Sequence, residues 1–357
     1  MPSFPPTPRW RHPGIAASLA AALLFGAAAP LAKLLLAQVS PWLLAALLYL
    51  GSGFGLAVWR RLRRAPPVRL PPGEARWLAG AVLAGGVAGP VLLMLGLAGL
   101  PAAQASLLLN GEAVLTALLA WVAFRENVDR RVALGMAAIV AGGAVLAWPR
   151  EGAGDGSGHA ALLVLAACLA WAIDNNLTRK VALADAAWIA MVKGLAAGGT
   201  NLALALALGA AWPPLPLVGA AGLLGFFSYG VSLVLFVLGL RSLGTARTGA
   251  YFSVAPFFGA VLAVLLLAEP VDWRLGVAAA LMALGVWLHL SERHEHLHAH
   301  EALDHAHEHV HGRGDAHHDH PHVPPVPAGT RHSHPHRHEP LLHAHPHYPD
   351  AHHRHDH

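Results

Sequence analysis

The chain has 357 residues, 55% of them hydrophobic and only 12% charged, which excludes a soluble domain with an ordinary polar surface and points to an integral membrane protein. The formal net charge of +4 carries no nucleic-acid signal, because most arginines outside the C-terminal tail lie in short loops between apolar segments, as membrane topology signals do. The one cysteine, Cys168, excludes an intramolecular disulfide and a Cys-based metal cluster, and reads as a small buried hydrophobe.

In chain order, Arg9 and Arg11 precede an apolar stretch from Gly14 to about Gln38. That stretch exceeds a signal-peptide core, and Pro30 would follow a cut after Ala27-Ala28-Ala29, so residues 1–13 are expected to be a short cytoplasmic N-terminus before an uncleaved span. Windows of about 20 apolar residues predict ten helices, at 14–37, 41–59, 76–98, 102–124, 130–149, 160–182, 187–209, 217–239, 246–268 and 272–290. The breaks carry turn or charge signals such as Ser40-Pro41, the RRLRR run, Leu100-Pro101, Trp212-Pro213-Pro214 and Glu269-Pro270. EGAGDGSG at 151–158 reads as a flexible linker, 150–159, between a first half at 14–149 and a second at 160–290. It lacks the Lys-Ser/Thr of a phosphate-binding loop. Ala81, Gly85 and Gly89 share small-xxx-small spacing with Gly80, Gly86 and Pro90 beside them, so the third span is expected to approach a neighbour closely and bend.

Basic residues fix the orientation. Arg60, Arg61, Arg63, Arg64, Arg69, Arg76, Arg125, Arg130, Arg131, Arg179, Lys180, Arg241 and Arg247 fall on the side of Arg9 and Arg11, whereas the other side has Arg150 and Arg274. The positive-inside rule then puts both termini in the cytoplasm and the ten spans across the cytoplasmic membrane.

The sequence also repeats. ASLLLNGEAVLTALLAWVAFRENVDRR, from Ala105, aligns without gaps with TGAYFSVAPFFGAVLAVLLLAEPVDWR, from Thr248, matching Glu126 to Glu269, Asp129 to Asp272, Arg131 to Arg274 and, beyond, Gly142 to Gly285. Five spans per copy is an odd number, so the second copy enters from the opposite face; inverted repeats of this kind build secondary transporters with a site near the midplane. On these residues the chain, from about Gly14 to Leu290, resembles the EamA family of the drug/metabolite transporter superfamily. That resemblance implies a ten-helix all-α fold that moves small metabolites, amino acids, nucleotide-related compounds or drugs by antiport or proton coupling. The family's Glu-Pro pair in the fourth span is Glu112-Ala113 here, whereas the ninth has Ala255-Pro256, so the proline kink is expected in one half alone.

A charge near the bilayer centre costs at least about 2.5–3.5 kcal/mol, so the candidates are few: Lys33, Glu112, Asp174 and Lys193, with Asn110, Asn175, Asn176, Asn201, Ser253 and Tyr251. At a rise of about 1.5 Å per residue, Asp174 and Lys193 lie at similar depth, roughly 5 and 7 Å to the cytoplasmic side of their centres, and are expected to pair, either as a structural bridge or in transport. Glu112 lies within about 2 Å of its helix centre with no basic residue at its depth, so it and Asp174 are the expected proton-coupling or substrate-contacting acids. Lys33 is placed nearer the outer face, where it can snorkel. Asn110 suits helix packing or solute contact. Asn175 and Asn176 point about 100° apart, so one of them is expected to face a cavity, with Trp171 and Tyr251 as aromatic walls.

Twenty-three of the 26 histidines fall after Leu290. Residues 291–357 have too few apolar residues to pack a core and are expected to be disordered, with nascent helix in HEHLHAHEALDHAHEHVH. His294, His296, His298, His300, His305, His307, His309, His311, His317, His318 and His320, with interspersed carboxylates, suit zinc, nickel, cobalt or copper, and near pH 6.5 such a tail also senses pH.

No catalytic motif or ATP-binding domain is visible, so an enzyme and a primary pump are not expected, and no resident cofactor is required. The expected partners are the lipid bilayer, a small-molecule solute and a divalent metal on the tail; a homodimer is compatible with the pattern, and no nucleic acid is expected. Secondary transport leads, with export coupled to protons or counter-substrate as the expected direction. A divalent-metal exporter and a non-transporting metal or pH sensor are the alternatives.

Overall fold

A computed structural model of the chain describes residues 13–68, 70–71, 73–124, 130–148, 156–181, 185–243, 245–290, 295–300, 303–310, 331–338 and 341–346. It divides into a helical unit and a second unit, Arg293–Pro349.

Among the described residues, eight helical segments are long and apolar enough to cross a membrane: Gly14–Leu36, Pro41–Leu62, Ala75–Gly99, Ala102–Leu119, Arg130–Ala147, Gly158–Thr178, Ala186–Ala207 and Leu215–Gly239. A ninth segment follows as the short helices Thr245–Phe252 and Ala255–Leu267, and a tenth as Trp273–Leu290. All ten lie where windows of apolar residues place them. Side-chain caps set two of the starts: Ser40 accepts the Leu43 N–H ahead of Pro41 at the first turn, and Asp185 accepts the Trp188 N–H. Asp185 also pairs with Arg60 at 2.7 Å, tying the second segment to the seventh. The helix carrying the sixth segment begins at Gly156, inside the stretch expected to be a flexible linker; residues 149–155 lie outside the described residues.

The helices pack in a pattern that survives exchange of the two halves. The second segment lies along the seventh and the fifth along the tenth; the third packs on the sixth as the first does on the eighth; the fourth meets the ninth. Adding or subtracting five from each number returns the same set, as an inverted repeat requires. Without a hydrophobic force between helices in lipid, close backbone approach does the work. A Cβ on Gly51 would run into the backbone of Gly222, and one on Gly85 into the Asp174 side chain. The second case fulfils the close approach read from the glycines of the third segment, and a wide π turn at Val82–Ala88 interrupts the α-helix there. The eighth segment has its own π turn at Phe226–Val231, the equivalent position in the second half.

In the second unit, Glu295–His300 pairs antiparallel with Leu341–Pro346 and Leu303–Val310 with Arg331–His338. This differs from the expected disorder and nascent helix. The physical reason lies in the sequence: His alternating with another residue has the period of two that a strand requires, whereas a helix needs 3.6. His296, His298 and His300 fall on one strand and His305, His307 and His309 on another; His294, His311, His317, His318 and His320 lie outside the described residues.

Gly51→Ala is expected to destabilise the protein by about 1–3 kcal/mol, since a methyl group there overpacks a backbone contact. Gly199, with open space around its Cβ position, is the control: Gly199→Ala leaves stability unchanged or raises it by up to about 1 kcal/mol. Thermal unfolding of both variants in detergent measures the difference.

Candidate functional site

Two broken helices frame the centre. The fourth segment runs as Ala102–Leu108, turns at Leu109-Asn110 and resumes as Gly111–Phe124; the ninth turns at Ser253-Val254. At the repeat's offset these turns fall within one residue of each other, so the expectation of a kink in one half alone does not hold. Pro256 makes the break in the ninth segment, where it has no N–H to donate. In the fourth, Gly111 follows the turn and Asn110 substitutes: its amide donates to the Leu107 carbonyl at 2.9 Å, while the Glu112 N–H reaches only back to Leu109.

Between the halves lies a narrow cavity with room for about one water. Its walls are Phe25, Gly26, Ala28 and Ala29 of the first segment, Leu93 of the third, Ser106 and Leu109 of the fourth, Trp171 of the sixth, Tyr229 of the eighth, and Ala255 and Pro256 of the ninth. These segments again form a set closed under exchange of the halves. Phe25 and Trp171 are themselves counterparts in the repeat, in the register that matches Ala28 to Asp174. The Phe25 ring stands edge-on to Tyr229 at 5.9 Å, and Tyr49 lies against Tyr229 at 5.6 Å. The π turn fixes this aromatic group: the Gly85 carbonyl accepts both the Tyr49 hydroxyl and the Trp171 indole N–H at 2.9 Å. Asn201 donates to the neighbouring carbonyls of Gly86 and Val87.

One helical turn from the cavity wall, on the arginine-rich side, lies the acid cluster. Glu112 follows Leu109 by three residues and Asn175 follows Trp171 by four; the Asn175 amide donates to Glu112 Oε1 at 2.8 Å and to Thr116 Oγ1 at 3.4 Å. Asp174 is buried, and both its oxygens accept from Lys193 Nζ, at 2.6 and 2.5 Å, with Thr178 donating a further hydrogen bond. Glu112 is half-buried, and its side-chain partner is an amide where that of Asp174 is a cation.

On the opposite side the junction of the third and fourth segments is clamped at both helix ends. Lys33 Nζ donates to the carbonyls of Leu97, Ala98 and Leu100 at 2.6, 3.1 and 2.8 Å. Glu269 accepts the Ala102 and Ala103 N–H groups at 2.6 and 2.8 Å. A cation at a helix C-terminus and an anion at an N-terminus satisfy both the free backbone groups and the helix dipoles. Lys33 therefore turns inward to carbonyls rather than snorkelling, because three acceptors lie within its reach.

The expected Asp174–Lys193 pair forms, and Trp171 lines the cavity. Tyr251 is half-buried and is not among the lining residues. Asn110 is buried, serves its own helix and approaches Met282 Sδ at 3.8 Å. Asn175 and Asn176 both reach the fourth segment, against the expectation that their angular separation would part them. Asn176 does so by sharing its amide between its own Ala172 carbonyl at 2.9 Å and that of Thr116 at 3.3 Å. Ser106, Tyr49, Tyr229 and Glu269 escaped the sequence reading. Phe25 was accessible through its repeat partner Trp171, and Glu269 through the end of LLLAEP.

The EamA-like transporter family matches residues 12–148 and 159–291, one match to each half. An "Uncharacterized transporter" of Methanothermobacter thermautotrophicus is similar to this chain, with 29% identity over 296 residues that cover 77% of the chain and 85% of that protein. A solved crystal structure shares the fold at a TM-score of 0.58 and 21% identity, covering 77% of this chain and 95% of its own.

Removing one member of the buried pair strands the other's charge. Lys193→Met or Asp174→Leu alone is expected to cost on the order of 3 kcal/mol, while the two together recover most of that loss, since no charge is then left buried without a partner. Unfolding of the two single variants and the double variant gives the coupling.

Proposed function

This chain belongs to the EamA-like transporter family, and from that premise we propose that it is a secondary active transporter of a small solute. Two inverted five-helix halves, ten crossings in all, would rock about the central cavity to expose it to each side of the cytoplasmic membrane in turn. The positive-inside pattern supports cytoplasmic termini. Export in exchange for an entering proton or counter-substrate is the direction proposed. Membership of a transporter family favours this reading over a sensor that moves nothing.

The observation that carries the reading is the place of Glu112, a carboxylate in an apolar helix, one turn from a cavity shared by both halves and bonded to an amide. A carboxylate so placed is able to take a proton from one side and release it to the other as access alternates. Asn175 and Thr116 orient it. Asp174 is matched by Lys193 and reads as the structural partner of the two acids.

In proteoliposomes, Glu112→Gln is expected to abolish uptake driven by a pH gradient while exchange of solute for solute continues. Gradient-driven transport at the wild-type rate in that variant rules Glu112 out as the coupling group.

A second reading concerns the tail. Its strands set His296 opposite His345 and His298 opposite His343, and likewise His305, His307 and His309 opposite His336, His334 and His332. Histidines in this number suit zinc, nickel, cobalt or copper, since neutral imidazole is a good ligand for each. We propose that the tail chelates such an ion and that transport does not need it. A chain ending at Leu290 is expected to lose divalent-metal binding in calorimetry and to keep solute exchange; loss of exchange together with the tail makes the tail part of the transport path and revives metal export.

A further inference from the structure

Ser106 is 1% exposed, lines the central cavity, and its hydroxyl has no hydrogen-bond partner. Burying an unmatched hydroxyl costs on the order of 1–3 kcal/mol, a cost that a bound solute with a hydrogen-bonding group removes. Tyr229 supplies a second hydroxyl on the same lining. The other walls are aromatic or aliphatic: the rings of Phe25, Trp171 and Tyr229, with the indole N–H of Trp171 already given to the Gly85 carbonyl.

Among the described residues, no ionised side chain lines this space. The nearby charges stand off this wall: Lys193 pairs with Asp174, Lys33 with three carbonyls and Glu269 with two N–H groups, while Glu112, one turn away, accepts from the Asn175 amide. An anion would find no cation on the wall. A cation would gain about 2 kcal/mol from desolvated aromatic faces, which falls short of the several kcal/mol that a buried ion without a counter-charge costs. Aromatic rings favour a flat partner that stacks or meets them edge-on.

Resting on the transporter reading above, we propose that the solute is a small uncharged heteroaromatic ring, of nucleobase size and polarity, held among Phe25, Trp171 and Tyr229 with a donor or acceptor on Ser106. Since the cavity in this state admits about one water, the solute enters when the halves part and is enclosed as they close.

The test is counterflow in proteoliposomes holding the full chain. The probes are labelled uracil and adenine as uncharged rings, benzoate as an anion, tetraethylammonium as a cation and phenylalanine as a zwitterion. Exchange of uracil or adenine, with a half-saturating concentration about five- to tenfold higher in Ser106→Ala, the weight of one neutral hydrogen bond, supports the proposal. Exchange confined to benzoate, tetraethylammonium or phenylalanine overturns it and leaves the transporter reading standing. Exchange of the rings with Ser106→Ala at wild-type affinity overturns the role of Ser106, and exchange of no probe counts against transport itself. The melting temperature of Ser106→Ala, expected within a few degrees of the wild type, separates lost recognition from lost folding.

Discussion

Hydrocarbon gives a freed N–H or C=O no water to bond, and each group left unmatched there costs several kcal/mol. The helices of this chain nonetheless widen or break near the centre, and at the π turn of the third segment and the break in the fourth, side chains meet the released groups. Tyr49 and Trp171 converge on Gly85, Asn201 covers Gly86 and Val87, and Asn110 covers Leu107. At the third–fourth junction Lys33 takes the carbonyls and Glu269 the N–H groups. Most intramembrane polarity is thus explained by backbone accounting, which makes the exceptions informative. Ser106 bonds to nothing and Glu112 bonds to an amide.

The two halves share a frame and divide its use. Packing partners, π turns and the breaks of the fourth and ninth segments recur in both, so this part of the frame is symmetric. The acid cluster is not: Asp174, Asn175 and Asn176 stand where the first half has Ala28, Ala29 and Pro30 in the repeat's register. The cluster's hydrogen bonds run within the sixth segment and from it to the fourth and seventh. The acid cluster thus joins the two halves, and both also line the aromatic cavity.

Segment positions, the repeat and the Asp174–Lys193 pair were legible in the sequence because each rests on local quantities: apolar length, residue spacing and rise per residue. The break at Leu109-Asn110 was not, since proline is a visible helix breaker and an asparagine that recaptures a carbonyl is not. Lys33 was misread for a related reason. Depth alone sends it to the interface, and only the fold shows three carbonyls of another helix within reach. Ser106 is one small residue among many in an alanine-rich run, and its meaning comes from a missing partner, a property that no sequence displays. The strand pairing of the tail was present in its strict alternation, which composition obscured.

The paired π turns carry a consequence about descent. A wide turn of this kind holds one residue more than the α-helical ladder needs, so a lineage gains it through a single insertion. Val82–Ala88 and Phe226–Val231 end at positions 143 residues apart, the same interval that aligns Glu126 with Glu269. One insertion in an ancestral half of five helices, copied when that half was duplicated, accounts for both; two separate insertions at the same interval would be needed otherwise. The kinked helix is then older than the ten-segment chain, and its exposed carbonyls were already available when Tyr49, Trp171 and Asn201 came to occupy them.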